Sequence, residues 1–257
     1  MSISAVIITL NEEQKIADCI GSVKWTDEIV VVDGFSSDKT REVARNHGAK
    51  VYEREFDDFA SQKNYAIEKA TGEYIFFLDA DERAEESLAA EILKAVIKQE
   101  YQGYYIPRKN IIFGREMKYG GHQGDKHLRL FKKDVSHFVD PIHEKVVVNG
   151  NVGMLSNFLI HYSTASISEY RDKMDLYTEL EVKHLVQQNV KLGKFDKAWK
   201  PIVKFFKQYF MQKGFLDGKE GLVFYYLSAV YLYTKYDKYW KITKNSKVEQ
   251  TKPGGNR

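Results

Sequence analysis

Hydrophobic and polar positions alternate in blocks along the first hundred residues. Short apolar runs rich in β-branched residues, which are typical of buried parallel strands, are each followed by a segment with helical spacing. The predicted strands are Ile3–Thr9, Ile29–Val32, Lys50–Tyr52 and a run from Tyr74. The first predicted helix begins at an Asn11 cap with Gln14 as its capping-box partner, and the second ends at about Asn46. Two more helices are predicted at 59–70 and 85–99. This order predicts an α/β fold with a mostly parallel sheet flanked by helices.

The regular alternation ends after residue 106. Residues 110–165 are rich in glycine and histidine, with short strand-like runs at 127–131 and 145–148, and the chain is predicted to be helical from Ser166 onward, at 175–190, 195–213 and 221–239. We therefore expect one domain at 1–165, regular over 1–110 and irregular over 111–165. A C-terminal helical region at 166–245 would follow, and then a tail at 246–257 that is either disordered or left over from cloning.

Composition narrows the class of protein only slightly. The chain has 39 basic and 36 acidic residues, and the net charge of +3 is too small to indicate nucleic-acid binding. Its one cysteine, Cys19, excludes an intramolecular disulfide and a cysteine-based zinc site. The longest apolar run, 222–234, is shorter than the roughly 20 residues of a membrane-spanning helix. Without a secretory signal pattern, we expect a cytoplasmic protein, soluble or peripheral to a membrane.

Two carboxylates follow the most apolar strand. The run Tyr74–Leu78 stops at Asp79 and Asp81, at the carboxyl edge where open α/β sheets bind ligands. Carboxylate oxygens are suitable ligands for Mg²⁺ or Mn²⁺, with substrate phosphates completing the coordination shell. An Asp-x-Asp pair also often marks a simple polar turn, so the surrounding motifs decide the interpretation.

Four motifs occur in a fixed order on this predicted sheet, namely Ile7–Glu12, Val31–Thr40, Gln62–Asn64 and Leu78–Asp81. Together they closely resemble family 2 glycosyltransferases of the GT-A fold, over about residues 3–110. Two later segments, Leu128–Phe131 and Pro141–Lys145, resemble the branch that builds lipopolysaccharide core and other bacterial surface glycans.

The resemblance implies a metal-dependent inverting transfer of a sugar, such as the hexose glucose. It also implies that 1–165 is a catalytic domain, with a nucleotide-binding half at 1–110 and an acceptor and catalytic half at 111–165. The implied donor is a nucleoside diphosphate sugar, with a UDP-sugar favoured, and the implied acceptor is lipopolysaccharide or a lipid-linked glycan at the cytoplasmic face of the inner membrane. Donor-binding residues implied in this way are Thr9, Leu10, Asn11, Glu12, Asp33, Asp38, Lys63, Asp79 and Arg129.

Several of these residues have a specific implied role. Asp33 would accept hydrogen bonds from a uracil-type base or a ribose, whereas Asp38 is equally well explained as a helix N-cap. Lys63 would neutralise donor phosphate or hold the Asp79 loop. Asp79 would bind the donor ribose or sugar, and Asp81 would ligate the Mg²⁺ or Mn²⁺ ion, with Asp79 and His143 as further candidate ligands.

The in-line displacement requires a carboxylate that accepts the proton of the acceptor hydroxyl. Glu144 is the predicted base because it follows His143 in the His-Glu element, with Asp140 and Asp125 as alternatives. His143 itself is explained equally well as a metal ligand, as a residue that orients the Glu144 loop, or as a structural histidine.

Two other functions are alternatives to a glycosyltransferase. A sugar nucleotidyltransferase would require a glycine-rich phosphate loop after the first strand, where this chain has Thr9–Glu12. An inactive sugar-nucleotide or glycan-binding module has no use for the Asp79 and Asp81 pair.

The segment 195–213 interleaves aromatic residues and lysines at helical spacing. This pattern predicts a helix on an anionic membrane surface, although a helix packed on the catalytic domain or in a homodimer interface has the same pattern.

Overall fold

The computed structural model describes residues 1–140, 144–193 and 195–250, with side chains as far as residue 244. The chain forms two compact units. The first contains residues 1–110 and 124–163, and the second contains residues 111–123 together with the chain from 164 onward. This division differs from the predicted boundaries, because residues 111–123 belong to the helical unit and not to an acceptor half.

The first unit contains the predicted alternation of strands and helices. Its elements begin with β1 (Ile3–Thr9), α1 (Ile16–Ser22), β2 (Glu28–Asp33), α2 (Thr40–Asn46), β3 (Lys50–Glu53), α3 (Phe59–Lys69), β4 (Tyr74–Asp79), β5 (Glu82–Ala84) and α4 (Glu86–Lys98). They continue with β6 (Gly103–Ile112), which extends into the second unit, and, after β7 of that unit, with β8 (Lys126–Lys132), β9 (Ser136–Val139), β10 (Lys145–Val148), β11 (Val152–Met154) and β12 (Leu159–Thr164). The predicted α/β class is therefore confirmed.

Among the described residues, the sheet has the strand order β3-β2-β1-β4-β8-β6-β12-β5. The pairs within β1 to β4 are parallel, whereas β8 is antiparallel to both β4 and β6. This arrangement agrees with the mostly parallel GT-A sheet that the resemblance implied.

Strand β4 lies in the middle of the sheet and is buried on both faces. Tyr74, Phe76 and Leu78 pack with residues of α1 and α4, whereas Ile75 and Phe77 pack with residues of α3 on the opposite face. All five side chains are fully buried, so the strand is apolar throughout instead of alternating. The central position predicted for this run is correct.

The predicted cap at Asn11 is wrong, because α1 begins at Ile16. Asn11 has a φ of 54° and joins two loops instead. Its backbone N–H donates to Ser36 Oγ, and its side-chain oxygen accepts from the Ser37 N–H, both at 2.8 Å. Asparagine tolerates the left-handed conformation, which explains its use at this turn.

The second unit is mostly helical, as predicted, and also contains β7 (Arg115–Met117). Its helices are α5 (Ile167–Gln187), α6 (Asp196–Phe206) and α7 (Gly218–Gln250), with a π-helical turn at Lys207–Met211 and a 3-10 turn at Gly214–Asp217. Helix α5 begins earlier than predicted because Ser166 caps it through the Glu169 N–H. Among the described residues, every helix is too short or too polar to cross a membrane.

Candidate active site

The carboxyl ends of β1, β2 and β4 lie side by side. In the strand register, Thr9 is opposite Asp33 and Ile8 is opposite Asp79. The parallel pairing thus brings the first, second and fourth sequence motifs to one edge of the sheet. The Thr9 hydroxyl at this edge is buried and has no hydrogen-bond partner in the described part of the chain.

Asp33 and Asp38 organise the loops at this edge. The fully buried Asp33 carboxylate accepts hydrogen bonds from the Ser36 N–H at 2.7 Å and the Ser36 hydroxyl at 2.5 Å. Asp38 accepts from the Thr40 N–H at the start of α2 and from the Glu13 N–H. Burial raises the pKa of Asp38, but the hydrogen bonds from Thr40 outweigh it and lower the pKa. Asp38 therefore contacts the start of α2, but the N-cap residue of that helix is Lys39, so the predicted N-cap role of Asp38 is wrong.

Two apolar side chains are exposed at the same loops. Leu10 is 45% exposed and Phe35 is 55% exposed. Phe35 also has a φ of 65°, an uncommon conformation for a bulky residue and one that often marks a functional position. Leu10 directly follows β1 and Phe35 comes two residues after β2, so both lie near the carboxyl ends of neighbouring strands.

Lys63 connects the third motif to the end of β4. Its ammonium lies 2.6 Å from Glu144 Oε1 and 3.7 Å from Asp79 Oδ1. The side chain is only 4% exposed and passes over the rings of Phe77 and Phe138. It is therefore a buried, paired cation and not a solvated surface lysine.

Arg129 holds Asp79 and a second carboxylate, that of Glu82. One Arg129 nitrogen lies 2.5 Å from Asp79 Oδ2 and 2.8 Å from Glu82 Oε1, and Glu82 is fully buried. Burial raises the pKa of Asp79, but the Arg129 and Lys63 cations outweigh it and hold that pKa well below its usual range. Asp79 therefore stays ionised under all ordinary conditions.

Asp81 points toward a histidine that the sequence analysis did not single out. His161 of β12 places Nε2 3.4 Å from Asp81 Oδ2, and its Nδ1 lies 2.7 Å from the Asn110 side-chain oxygen. Because the amide oxygen can only accept, Nδ1 carries a proton, which leaves the Nε2 lone pair directed at Asp81 in the neutral ring.

Asn110 and Asp125 belong to a chain of contacting polar side chains. Asp125 accepts from Asn110 at 2.7 Å and from Arg108 at 2.9 Å, and Arg108 also lies 3.3 Å from Glu82. The chain of contacts runs through Asp81, His161, Asn110, Asp125, Arg108, Glu82, Arg129 and Asp79. Burial raises the pKa of Asp125, but hydrogen bonds from His127 and its other partners lower it strongly overall.

The Asp81 and His161 pair fits a divalent cation in partial coordination. Adjacent ligands of an octahedral Mg²⁺ lie about 3 Å apart, close to the observed 3.4 Å between the two atoms. The Asn110 contact to Nδ1 is the outer hydrogen bond that metal-binding histidines usually make. No group of three metal-binding side chains occurs within the described residues, so a substrate diphosphate would have to supply further oxygens.

The remaining predicted site residues include Glu12, Asp140, His143 and Glu144. Glu144 contacts Lys63, whereas Asp140 is exposed and has a φ of 66°. His143 lies outside the described residues. The Glu12 N–H donates to the Thr40 hydroxyl at 2.8 Å, which ties Glu12 to the same pair of loops as Asn11.

Comparison with known proteins shows the family of this chain and several similar proteins. The sequence profile described as "Glycosyl transferase family 2" matches residues 4–161, so the chain belongs to this family. It is 32% identical over 235 residues to an uncharacterized glycosyltransferase of Rickettsia typhi, covering 86% of this chain and 80% of the relative. The resemblance inferred from the four motifs is confirmed, and the protein is a glycosyltransferase that uses a nucleotide-sugar donor.

Two further proteins are similar to this chain over most of their own length. The lipopolysaccharide core biosynthesis glycosyltransferase LpsC of Rhizobium meliloti is 26% identical over 253 residues, covering 92% of this chain and 93% of LpsC. The solved structure of TarS residues 1–349 of S. aureus with UDP-GlcNAc is 17% identical with a TM-score of 0.46, and it covers 89% of this chain and 79% of that one.

Proposed function

We propose that this protein is an inverting, metal-dependent transferase that moves a hexose from a UDP-sugar to a lipopolysaccharide-core acceptor. The observation that carries the proposal is the Asp81 and His161 pair beside the Lys63 cation at the strand ends. The choice of acceptor is supported by the similarity to LpsC, which extends over 93% of that protein.

The donor diphosphate would bind between Lys63 and the Asp81 and His161 pair. These two side chains would hold Mg²⁺ or Mn²⁺, which when bound stabilises negative charge on the departing nucleoside diphosphate. Lys63 adds a fixed positive charge that is already desolvated and needs no reorganisation during the reaction. Asp79 is held by Arg129 and is available to accept a hydrogen bond from the donor sugar or ribose.

The nucleobase would rest on the apolar surface of Leu10 and Phe35. A strained, exposed aromatic side chain beside a nucleotide site offers a flat face for stacking on a base. The neighbouring Thr9 hydroxyl lacks a partner among the described residues and would hydrogen-bond to the nucleotide.

Glu144 would act as the general base. In a single in-line step its carboxylate takes the proton of the acceptor hydroxyl while that oxygen bonds to the anomeric carbon from the face opposite the leaving group. The bond between the anomeric carbon and the phosphate oxygen breaks, and the electron pair leaves with the diphosphate. Asp125 is a weaker candidate because its hydrogen bonds stabilise the ionised form and so lower its basicity.

The test is a donor and acceptor panel with the purified protein. We expect UDP release from a UDP-hexose to depend on added Mg²⁺ or Mn²⁺, to stop in chelator, and to rise with lipopolysaccharide-core oligosaccharides, with the product in the inverted configuration. Transfer that persists in chelator would contradict the metal mechanism. Release of pyrophosphate from a nucleoside triphosphate and a sugar phosphate would instead identify a nucleotidyltransferase.

A further inference from the structure

The helical unit contains a cavity of about 350 Å³, lined in part by lysine and amide side chains, that the proposed reaction does not use. Its lining includes Gly120 and His122 on one side and Lys204, Lys207, Gln208 and Gln212 on the other. The second group comes from the end of α6 and the π-helical turn that follows it. Such turns occur frequently at functional sites.

The glycine side of the cavity is held rigidly by buried residues. Asp217, which is 2% exposed, accepts hydrogen bonds from the Lys118 and Tyr119 N–H groups, and the Tyr225 hydroxyl lies 2.5 Å from Asp217 Oδ2. Gly120 has a φ of 65°, and a Cβ there would lie 2.1 Å from the Tyr225 ring. The wall is therefore formed before any ligand arrives.

The opposite side of the cavity carries two lysines, Lys204 and Lys207. Neither ammonium has a hydrogen-bond or ion-pair partner within the described residues. Burial and the nearby Lys235 lower the pKa of Lys204, and the opposing effect of Glu181 does not compensate. A bound anion would relieve this cost. The two positive charges therefore favour an anion.

The same helix presents an unusually apolar face to solvent. Several apolar side chains at helical spacing are at least half exposed. They are Trp199, Ile202, Val203 and Phe206 of α6 and Phe210 of the π-helical turn. Only Pro201 is fully buried among the residues of α6. An apolar stripe beside lysines is the pattern of a helix that lies in the plane of a membrane interface.

We propose that α6 docks on an anionic bilayer through this stripe and that the cavity beside it receives the phosphate of a lipid headgroup. Charge complementarity favours lipid over a second copy of the chain, because a symmetric dimer through this face would bring unpaired lysines together. Lys204 and Lys207 would contact the headgroup phosphate, and the apolar side chains would enter the boundary of the acyl region.

Vesicle flotation with the full chain tests the proposal. We expect binding to vesicles of phosphatidylcholine with phosphatidylglycerol to be at least tenfold tighter than binding to phosphatidylcholine alone, and to weaken with salt. Ile202→Asp should reduce binding at least tenfold, whereas Ile97→Asp, at an exposed isoleucine of α4, should leave it unchanged. The double variant Lys204→Gln with Lys207→Gln should lose about 30-fold, against little change for Lys94→Gln with Lys98→Gln on α4.

UDP release from the sugar nucleotide serves as a fold control, since none of these residues belongs to the proposed active site. Equal binding to both vesicle types, or equal losses for Ile202→Asp and Ile97→Asp, would overturn the proposal. So would dimers that disappear with Ile202→Asp in a protein that ignores vesicles. Saturable binding of inorganic phosphate without vesicle binding would assign the cavity to a soluble anion and overturn the lipid assignment.

Discussion

At the residue scale, each carboxylate of the first unit differs from the others in its partners. Asp33 and Glu82 are fully buried, Asp79 is held between two cations, and Glu144 contacts Lys63 while remaining partly exposed. Asp79 is 33% exposed but is held by both Arg129 and Lys63, whereas Glu144 is 20% exposed and contacts Lys63, so Glu144 is the better candidate to accept the proton of the acceptor.

Replacing the proposed base should therefore affect turnover and not donor binding. We expect Glu144→Gln to lower kcat by about 100-fold or more while the affinity for UDP stays within about twofold. Steady-state kinetics and calorimetric titration with UDP would measure the two effects. Asp140→Asn is the matched control and should keep most of the activity; the reverse pattern would transfer the role to Asp140.

The exposed Phe35 ring leads to a second prediction at this scale. Phe35→Ala should weaken UDP binding about tenfold, which corresponds to the loss of one stacked base. Phe158→Ala, at another exposed phenylalanine of the same unit, should leave UDP affinity unchanged. Equal affinities for UDP in the two variants would show that the base does not rest on Phe35.

At the element scale, Glu28 at the start of β2 ties together three segments. Its carboxylate accepts from the Ser4 hydroxyl of β1, from the Thr71 N–H that precedes β4, and from Lys50 of β3. Burial raises the pKa of Glu28, but these hydrogen bonds, led by that from Lys50, outweigh it and lower the pKa from 4.5 to about 2.

Because the folded pKa is depressed, the stabilisation is complete above about pH 4.5 and is lost as the pH falls toward 2. We expect Glu28→Gln to lower the free energy of unfolding by about 2 kcal/mol at pH 7, with a smaller difference from wild type at pH 3. Denaturant unfolding at the two pH values would measure this. The exposed Glu68→Gln is the control; a pH-independent deficit in Glu28→Gln would contradict the ionic origin.

Elements with a strong local pattern were predictable from sequence, whereas those that depend on distant contacts were not. The fully apolar β4 and the start of α3 at Phe59 follow from their own residues. The start of α1 did not, because Asn11 makes its hydrogen bonds to the β2–α2 loop and leaves no cap for a helix. Helix α7 is continuous over Gly218–Gln250 although its sequence predicts only 221–239, since packing on α5 and α6 supports it.

At the scale of the whole molecule, the site is assembled from segments far apart in the chain. His161 reaches Asp81 across 80 residues, and Glu144 reaches Lys63 across 81. The order of the motifs predicted which edge of the sheet holds the site and which aspartates lie there, because the ends of strands can be recognised in the sequence. The single histidine of β12 and Asn110 lie in no such pattern, so the sequence offered no reason to place them beside Asp81.

The proposal that Asp81 and His161 hold the divalent cation used by the donor can be tested by calorimetric titration of Mn²⁺ into the protein saturated with UDP. The proteins to compare are wild type, Asp81→Asn, His161→Ala and the exposed control Asp18→Asn. We predict one Mn²⁺ site in wild type and Asp18→Asn, weakened at least tenfold by either of the other two substitutions. Unchanged Mn²⁺ affinity in both Asp81→Asn and His161→Ala would contradict the claim.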